Sequence, residues 1–286
     1  MCSGNRGVAM APENHVSVYV DQRAPIATKG DSLPCDLCPG QRLNICRPLE
    51  RDRLAELLAT GSRQKWAKGA DLFTAGDRVR SVAKITKGMV ALSQFLPDGR
   101  RQIFSFVLAG ELCGMMEVEG RHALTARAIT EVEGCVFARD RFDAFVERHV
   151  DVLHEQKRAL QAELSFAASR ALVLGRMLAH EKVAHFLLEF GDACARRGMN
   201  IQPLALPMTR SDIADYLGLT VETVCRTFAD LKARGLIRTF DHSVLVLDRR
   251  RLETIATAGC RREPSKIIVT SRPALGRRGS AVVAGA

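Results

Sequence analysis

Two groups of residues in this chain have the types and spacing to do chemistry. The first is Cys35-x2-Cys38-x7-Cys46, set among Pro34, Pro39, Gly40 and Pro48, in a loop that can wrap a centre without breaking a helix or strand. Three thiolates leave one ligand to find, because zinc and iron–sulfur clusters both usually take four. Cys2, Cys113, Cys135, Cys194, Cys225 and Cys260 are the remaining thiols, and spacing alone selects none of them. An all-cysteine zinc site more often shows two Cys-x2-Cys knuckles, whereas a three-plus-one arrangement suits a cluster clamped between a loop and a domain. Both metals stay open on the residues alone.

The second group lies at 209–235. Thr209 with Asp212 three residues on reads as a variant capping box that opens a helix through Leu217. Gly218 supplies a tight turn, Thr220 caps a second helix over 221–234, and Gly235 ends it. Expected strands at 236–239 and 244–247 flank Asp241-His242 as a wing, which gives a winged helix-turn-helix. Thr209, Arg210, Ser211, Thr220, Glu222, Thr223, Cys225, Arg226 and Lys232 are the candidate DNA contacts. At the front of a recognition helix, Arg226 can fork onto guanine O6 and N7, and Glu222 can accept from cytosine N4.

The rest of the chain must position these groups. Its 286 residues suggest about two domains. Lys plus Arg exceeds Asp plus Glu by 42 to 32, and from Thr209 onward by 14 to 8. A basic C-terminal quarter points to a polyanion such as nucleic acid. No run approaches the roughly 18–20 apolar residues of a membrane helix, and the N-terminal stretch lacks the apolar core of a secretory signal. The expectation is a cytoplasmic protein with no membrane partner, whose nine cysteines stay reduced.

A flexible arm is expected over 1–33, then the cysteine loop and a β-barrel sensor domain over 34–150. Strand-like runs at 82–85, 90–95, 102–107 and 125–130 recur between turn signals, and Pro97-Asp98-Gly99 marks a hairpin. Residues 141–190 read as helix throughout. Within them Leu153, Gln156, Leu160, Leu164, Ala167, Ala171, Leu174 and Leu178 recur at steps of three and four, a narrow seam that predicts a homodimer coiled coil over 151–182. The DNA-binding domain is expected over 183–260 and a disordered basic tail over 261–286. No Gly-rich phosphate loop or nucleophile–base set suggests an enzyme.

The order of barrel, long helix and winged helix resembles the Crp/Fnr family of bacterial transcription regulators, from about Leu33 to Ala258. FVLAGE at 106–111 is similar to the family's barrel segment F-x-x-x-G-[DE], and MTRSDIADYLGLTVETV at 208–224 is very close to the helix-turn-helix of the Fnr branch. The resemblance implies an α+β fold with a cyclic-nucleotide-binding-like jelly roll. It also implies an oxygen-labile [4Fe–4S] cluster held by Cys35, Cys38, Cys46 and, late in the barrel, Cys135. The site implied is a TTGAT half-site with its inverted repeat. RNA polymerase is implied as a partner at the 96–101 hairpin tip.

Two departures from the family pattern stand out. Where the Crp branch needs Arg-Ser for a cyclic phosphate, this chain has His122-Ala123. No cyclic nucleotide is therefore expected unless Arg121 or Arg127 compensates. Cys225 replaces the Ser of the recognition motif E-x-x-S-R, which makes it a candidate redox thiol beside Arg226. The alternative reading is a DNA binder of the same family with a zinc site or a small-ligand barrel and no oxygen sensing.

Overall fold

The computed structural model describes residues 24–25, 38 and 44–257. Cys35, most of the 1–33 arm and the 261–286 tail lie outside the described residues.

A 3₁₀ turn at Asn44–Cys46 and helix α1 (Arg51–Ala59) precede the barrel. One sheet runs in the order β1-β2-β11-β4-β7, from Ala24–Pro25, Gly61–Trp66, Val132–Ala138, Ser81–Lys87 and Leu112–Cys113. The facing sheet runs β3-β10-β5-β6, from Asp71–Phe73, Thr125–Ala128, Met89–Phe95 and Arg101–Leu108. A small hairpin, β8 (Glu117–Val118) and β9 (Arg121–His122), completes the barrel. All four strand-like runs read from the sequence are strands. The β4–β5 turn depends on Gly88 at φ +88°, where a Cβ would stand 2.2 Å from the Glu131 carbonyl oxygen.

Side-chain alternation sorts these strands between two cores. Ala83 and Ile85 of β4, with Val132 and Val136 of β11, pack between the sheets with Val90, Val107 and Ala126. Val82, Cys135 and Phe137 point the other way. They meet Leu54 and Leu57 of α1 and join Phe142, Phe145 and Val152 from the helices that follow the barrel. Cys135 is thus on the outer face of the barrel, beneath the segment that carries the first cysteines.

The helix expected over 141–190 is instead three helices, α2 (Arg139–Arg148), α3 (Val150–Arg176) and α4 (Ala179–Ala195). His149 breaks the first junction with φ −120° and ψ 93°. There α2 turns Phe142, Phe145 and Val146 into the barrel-side core, while α3 leaves along another direction. At the second junction Met177 and Leu178 are extended, and the Glu181 carboxylate accepts from the Leu178 N–H at 2.7 Å, starting α4 afresh. A three-to-four periodicity carries no mark of such breaks, because the apolar steps continue across them.

The C-terminal unit contains β12 (Leu204–Ala205), α5 (Arg210–Leu217), α6 (Val221–Ala233), β13 (Ile237–Phe240), β14 (Ser243–Val246) and α7 (Arg249–Thr257). Strand β12 adds to the wing as β12-β14-β13, and α7 packs on α4. One buried cluster runs from Phe186 and Leu187 of α4 through Ile213, Leu217, Val224 and Phe228 to Met89, Ile103 and Leu108 of the barrel, so the winged helix is docked on the sensor domain.

Candidate DNA-reading and thiol sites

Helices α5 and α6 are built from their own residues. Thr209 Oγ1 accepts from the Asp212 N–H at 3.1 Å, and Asp212 Oδ2 accepts from the Thr209 N–H at 2.8 Å, a reciprocal cap. Gly218 closes α5 at φ +61°, in the left-handed region. Thr220 Oγ1 accepts from the Thr223 N–H at 3.2 Å and opens α6. Val224, Phe228 and Leu231 of α6 are buried, which leaves Glu222, Cys225, Arg226 and Lys232 exposed on the opposite side. Neither Glu222 nor Arg226 has an ion-pair partner among the described residues, so both heads are free to reach outward. Thr209, Ser211 and Thr220 are exposed and Thr223 is half-buried. Arg210 is placed differently: its guanidinium lies 3.7 Å over the Phe228 ring, next to the Cys225 thiol, and burial lowers its pKa.

A set of polar residues that the sequence reading did not single out fixes α5 to the rest of the molecule. The last carbonyls of a helix lack partners within it and favour cations. Here Gln102 of β6 donates to the Asp215 carbonyl at 2.7 Å, Arg170 of α3 donates to that of Tyr216, and Lys182 of α4 donates to that of Leu217 at 3.2 Å. Arg170 also stacks 3.7 Å over the Tyr216 ring. Arg101 reaches Asp212 at 2.5 Å and Asp215 at 2.7 Å. The sequence does hold one signal, since Arg170 is the lone charge between Glu163 and Arg176.

At the other end, Cys38 and Cys46 are half-buried and Cys135 is buried. Cys46 responds to Cys38, and Cys135 responds to both. Burial pushes the Cys46 thiol up, with Cys38 adding to the rise and Lys84 opposing it. Cys135 is pushed up to about 11, by burial first and then by Cys38 and Cys46, against Arg63 and Lys84. Cys113, pushed up to about 12, belongs to the barrel interior and responds to Glu111 and Glu163 rather than to the other cysteines. Soft thiols of this kind suit zinc or an iron–sulfur cluster. Among the described residues no three His, Cys, Asp or Glu converge closely enough to hold a single ion.

The seam residues Leu153, Leu160, Leu164, Ala167 and Ala171 are exposed on α3, Leu164 to 73%. Leu174 is instead half-buried, turned toward Gly218 of the helix-turn-helix. Leu178 lies in the break before α4 and not on the seam helix, although it too is exposed. Leu172, absent from the expected seam, is 61% exposed.

Residues 181–255 match the family described as the Crp-like helix-turn-helix domain, and residues 63–149 match the cyclic nucleotide-binding domain family. The nitrogen fixation regulation protein FixK of Bradyrhizobium diazoefficiens is 38% identical over 224 residues, covering 78% of this chain and 94% of its own. The chain belongs to the Crp/Fnr family of transcription regulators. Another relative, the transcriptional activator protein FnrL of Cereibacter sphaeroides, is 32% identical over 225 residues, covering 76% of this chain and 90% of its own. The solved structure of FixK2 from Bradyrhizobium japonicum superposes with a TM-score of 0.63 at 32% identity, over 68% of this chain and 96% of that one. As a Crp/Fnr regulator the chain binds DNA through its winged helix. No helix among the described residues is long and apolar enough to cross a membrane.

His122 and Ala123, which stand in place of the Arg-Ser expected of the Crp branch, lie within the stretch that matches the cyclic nucleotide-binding domain family. His122 is stacked on Phe73 at 3.8 Å, and burial lowers its pKa, which keeps the imidazole uncharged at neutral pH. Arg121 donates to the Gly76 carbonyl at 2.7 Å, and Arg127 pairs with both carboxylate oxygens of Asp71 at 2.7 and 2.9 Å. Glu111 accepts from the Leu108 N–H at 2.8 Å and pairs with Arg197.

Proposed function

We propose that this regulator senses oxygen through a [4Fe–4S] cluster held by Cys35, Cys38, Cys46 and Cys135. In this reading it dimerises along the outward face of α3 and activates genes from a TTGAT-type inverted repeat when oxygen is scarce. The observation that carries the reading is the gathering of Cys38, Cys46 and Cys135, from two distant parts of the sequence, on one outer face of the barrel. Cys113, the other barrel cysteine, stands apart from them. A cluster, with one thiolate per iron atom, spreads its ligands more widely than a single ion does. The bound cluster supplies the reactivity toward oxygen.

The protein's own residues supply the connection to DNA. Cys135 precedes the start of α2 by four residues, and the turn that carries Cys46 packs against α3. Arg53 pairs with Asp151 at 2.7 Å, and Arg148 pairs with Glu56 at 2.8 Å, joining α1 to the α2–α3 junction. Tying the cysteine loop to β11 thus sets the start of α3, whose far end holds α5 through Arg170. Two recognition helices then face half-sites about one DNA turn apart (~34 Å). Leu164 to Leu178 contains no acid, so pairing of α3 survives in part without the cluster. The uncharged His122 and the engaged Arg121 and Arg127 speak against a cyclic nucleotide. The exposed Phe95 and Leu96 present the hairpin tip to RNA polymerase. Cys225, exposed beside Arg210, is a second, thiol-based point of redox control in this reading.

The test is anaerobic purification followed by visible spectroscopy, iron and sulfide analysis, and DNA binding during air exposure. The expected result is a coloured protein whose absorbance and DNA affinity fall together. A colourless protein that contains zinc, or one whose DNA binding ignores air, overturns the reading in favour of a zinc- or ligand-dependent regulator.

A further inference from the structure

The C-terminal unit is joined to α3 through two residues of extended backbone, Met177 and Leu178. Domains of one chain move against each other unless their interface is large and apolar, and such a joint gives this unit a place to pivot. Strand β6 of the barrel holds the unit across the joint, at both ends of the strand. At its start Arg101 pairs with Asp212 and Asp215 at 2.5 and 2.7 Å, and Gln102 donates to the Asp215 carbonyl. Just past its end Glu111 pairs with Arg197, the residue after the C-cap of α4. The Arg101 and Arg197 side chains are only 19% and 12% exposed, so water screens these pairs less than it does surface ones. Between the two clasps Ile103 and Leu108 enter the shared core, and the Phe106 ring lies 5.1 Å from that of Tyr216.

Strand residues rise about 3.3 Å each, so the clasps stand on the order of 20 Å apart along the barrel. One contact would leave the unit free to swing about it. Two at that separation, with Arg170 of α3 at the Tyr216 carbonyl as a third, fix both its position and its rotation. The reading residues are exposed on α6 and the apolar seam is exposed on α3, so this rotation decides where α6 stands relative to that of a partner. One base pair moves a half-site by about 3.4 Å and turns it by about 34°. Resting on the pairing along α3 proposed above, and on no metal centre, we propose that Arg101 and Arg197 are positioning residues that set the half-site spacing the regulator accepts. Both guanidiniums are engaged by carboxylates, and they act on DNA through α6, by fixing the unit against β6.

The test measures the affinity of the full-length chain, purified without oxygen, for two kinds of duplex. One carries a single TTGAT half-site, the other an inverted repeat whose gap changes one base pair at a time. Wild type is expected to favour one gap, and to lose most of the about 10²- to 10⁴-fold gain of two-site binding when two base pairs are added or removed. Arg101→Met combined with Arg197→Met is expected to bind the favoured gap roughly tenfold more weakly, yet to lose less than about tenfold on the same change. A looser unit has a lower effective concentration spread over more geometries. Its affinity for the single half-site is expected to stay within about twofold of wild type, since the caps and exposed face of α6 are untouched. If the double variant unfolds, Arg101→Gln and Arg197→Gln, each releasing one end of β6, carry the same comparison. A gap profile as sharp as that of wild type, or an equal loss for half-site and repeat, overturns the proposal while the pairing reading stands. A wild-type chain indifferent to the gap fails the pairing reading itself, and this proposal with it.

Discussion

The DNA-reading end and the thiol end of this regulator are assembled on opposite plans. The N-caps of α5 and α6 and the Gly218 turn between them come from residues within a few positions of the helix they serve, as in the reciprocal pair Thr209 and Asp212. At the thiol end Cys46 and Cys135 are 89 positions apart in sequence, and they meet only because β11 pairs with β4 and α1 covers the sheet. A site made of local contacts forms whenever its helices form. A site made of long-range contacts exists only in the finished fold, so it can report a change in that fold. The difference suits a reader at one end and the proposed sensor at the other, with α3 as the piece that touches both.

The largest expected effect comes from cutting that connection while leaving both ends intact. Replacing Leu160 and Leu164 with Asp puts charge on the exposed seam of α3 and opposes pairing. Two half-sites bound together gain about 10²- to 10⁴-fold over one by effective concentration. The double variant is expected to lose about that much affinity for an inverted repeat, with an unchanged circular dichroism spectrum. Sedimentation should show it as a monomer. An affinity that stays at the wild-type level would mean that each subunit reads DNA alone, and the division of labour between the ends would fail.

How much of each end was legible follows the same division. The caps, the Gly218 turn, the wing and the buried stripe of α6 were all readable, because each is set by residue type at short spacing. Alternation alone would have placed Cys135 with Phe137 opposite Val132 and Val136, yet it could not say which face α1 would cover. Lys84, in the middle of β4, is buried, which its residue type does not announce. Arg101, Gln102, Arg170 and Lys182 act on α5 from three other elements, so no local pattern names them as a group. Breaks at His149 and Leu178 escaped for a related reason: what turns the chain there is the direction of the next packing surface, which a continuing apolar period does not record.

A smaller effect tests whether the DNA end is as self-contained as its caps suggest. Asp212 serves two masters, capping Thr209 and receiving Arg101 from the barrel. Burial works against its ionisation, but the hydrogen bonds from Thr209 and Arg101 outweigh burial and hold the carboxyl below its ordinary value of 3.8. A carboxylate with a depressed folded pKa stabilises fully above the unfolded value, and that stability is lost as pH falls through the folded one. Asp212→Asn is expected to cost about 1.5–3 kcal/mol at pH 7, the range for hydrogen bonds to charged groups. The gap from wild type should close as the pH is taken below about 4. Parallel thermal melts at pH 7 and pH 3 measure it. If Arg101→Met costs as much as Asp212→Asn, the barrel contact outweighs the cap, and α5 belongs energetically to both domains.

The smallest expected effect would blur the comparison, because it places a sensor at the reading end. Cys225 is exposed on the face of α6 that carries Glu222 and Arg226, and its thiol neighbours the Arg210 guanidinium. Oxidation by peroxide to a sulfinate adds a fixed negative charge there. Two like charges about 4 Å apart repel by about 1 kcal/mol in water. Each oxidised half-site should therefore bind DNA about fivefold more weakly, an effect that high salt reduces. Peroxide-treated, cluster-free protein and its Cys225→Ser variant, titrated against the same duplex, give the measurement. The serine variant should bind as the untreated protein does and ignore peroxide. If both forms respond to peroxide alike, Cys225 is an inert substitute for serine, and the proposed redox control is confined to the thiol end.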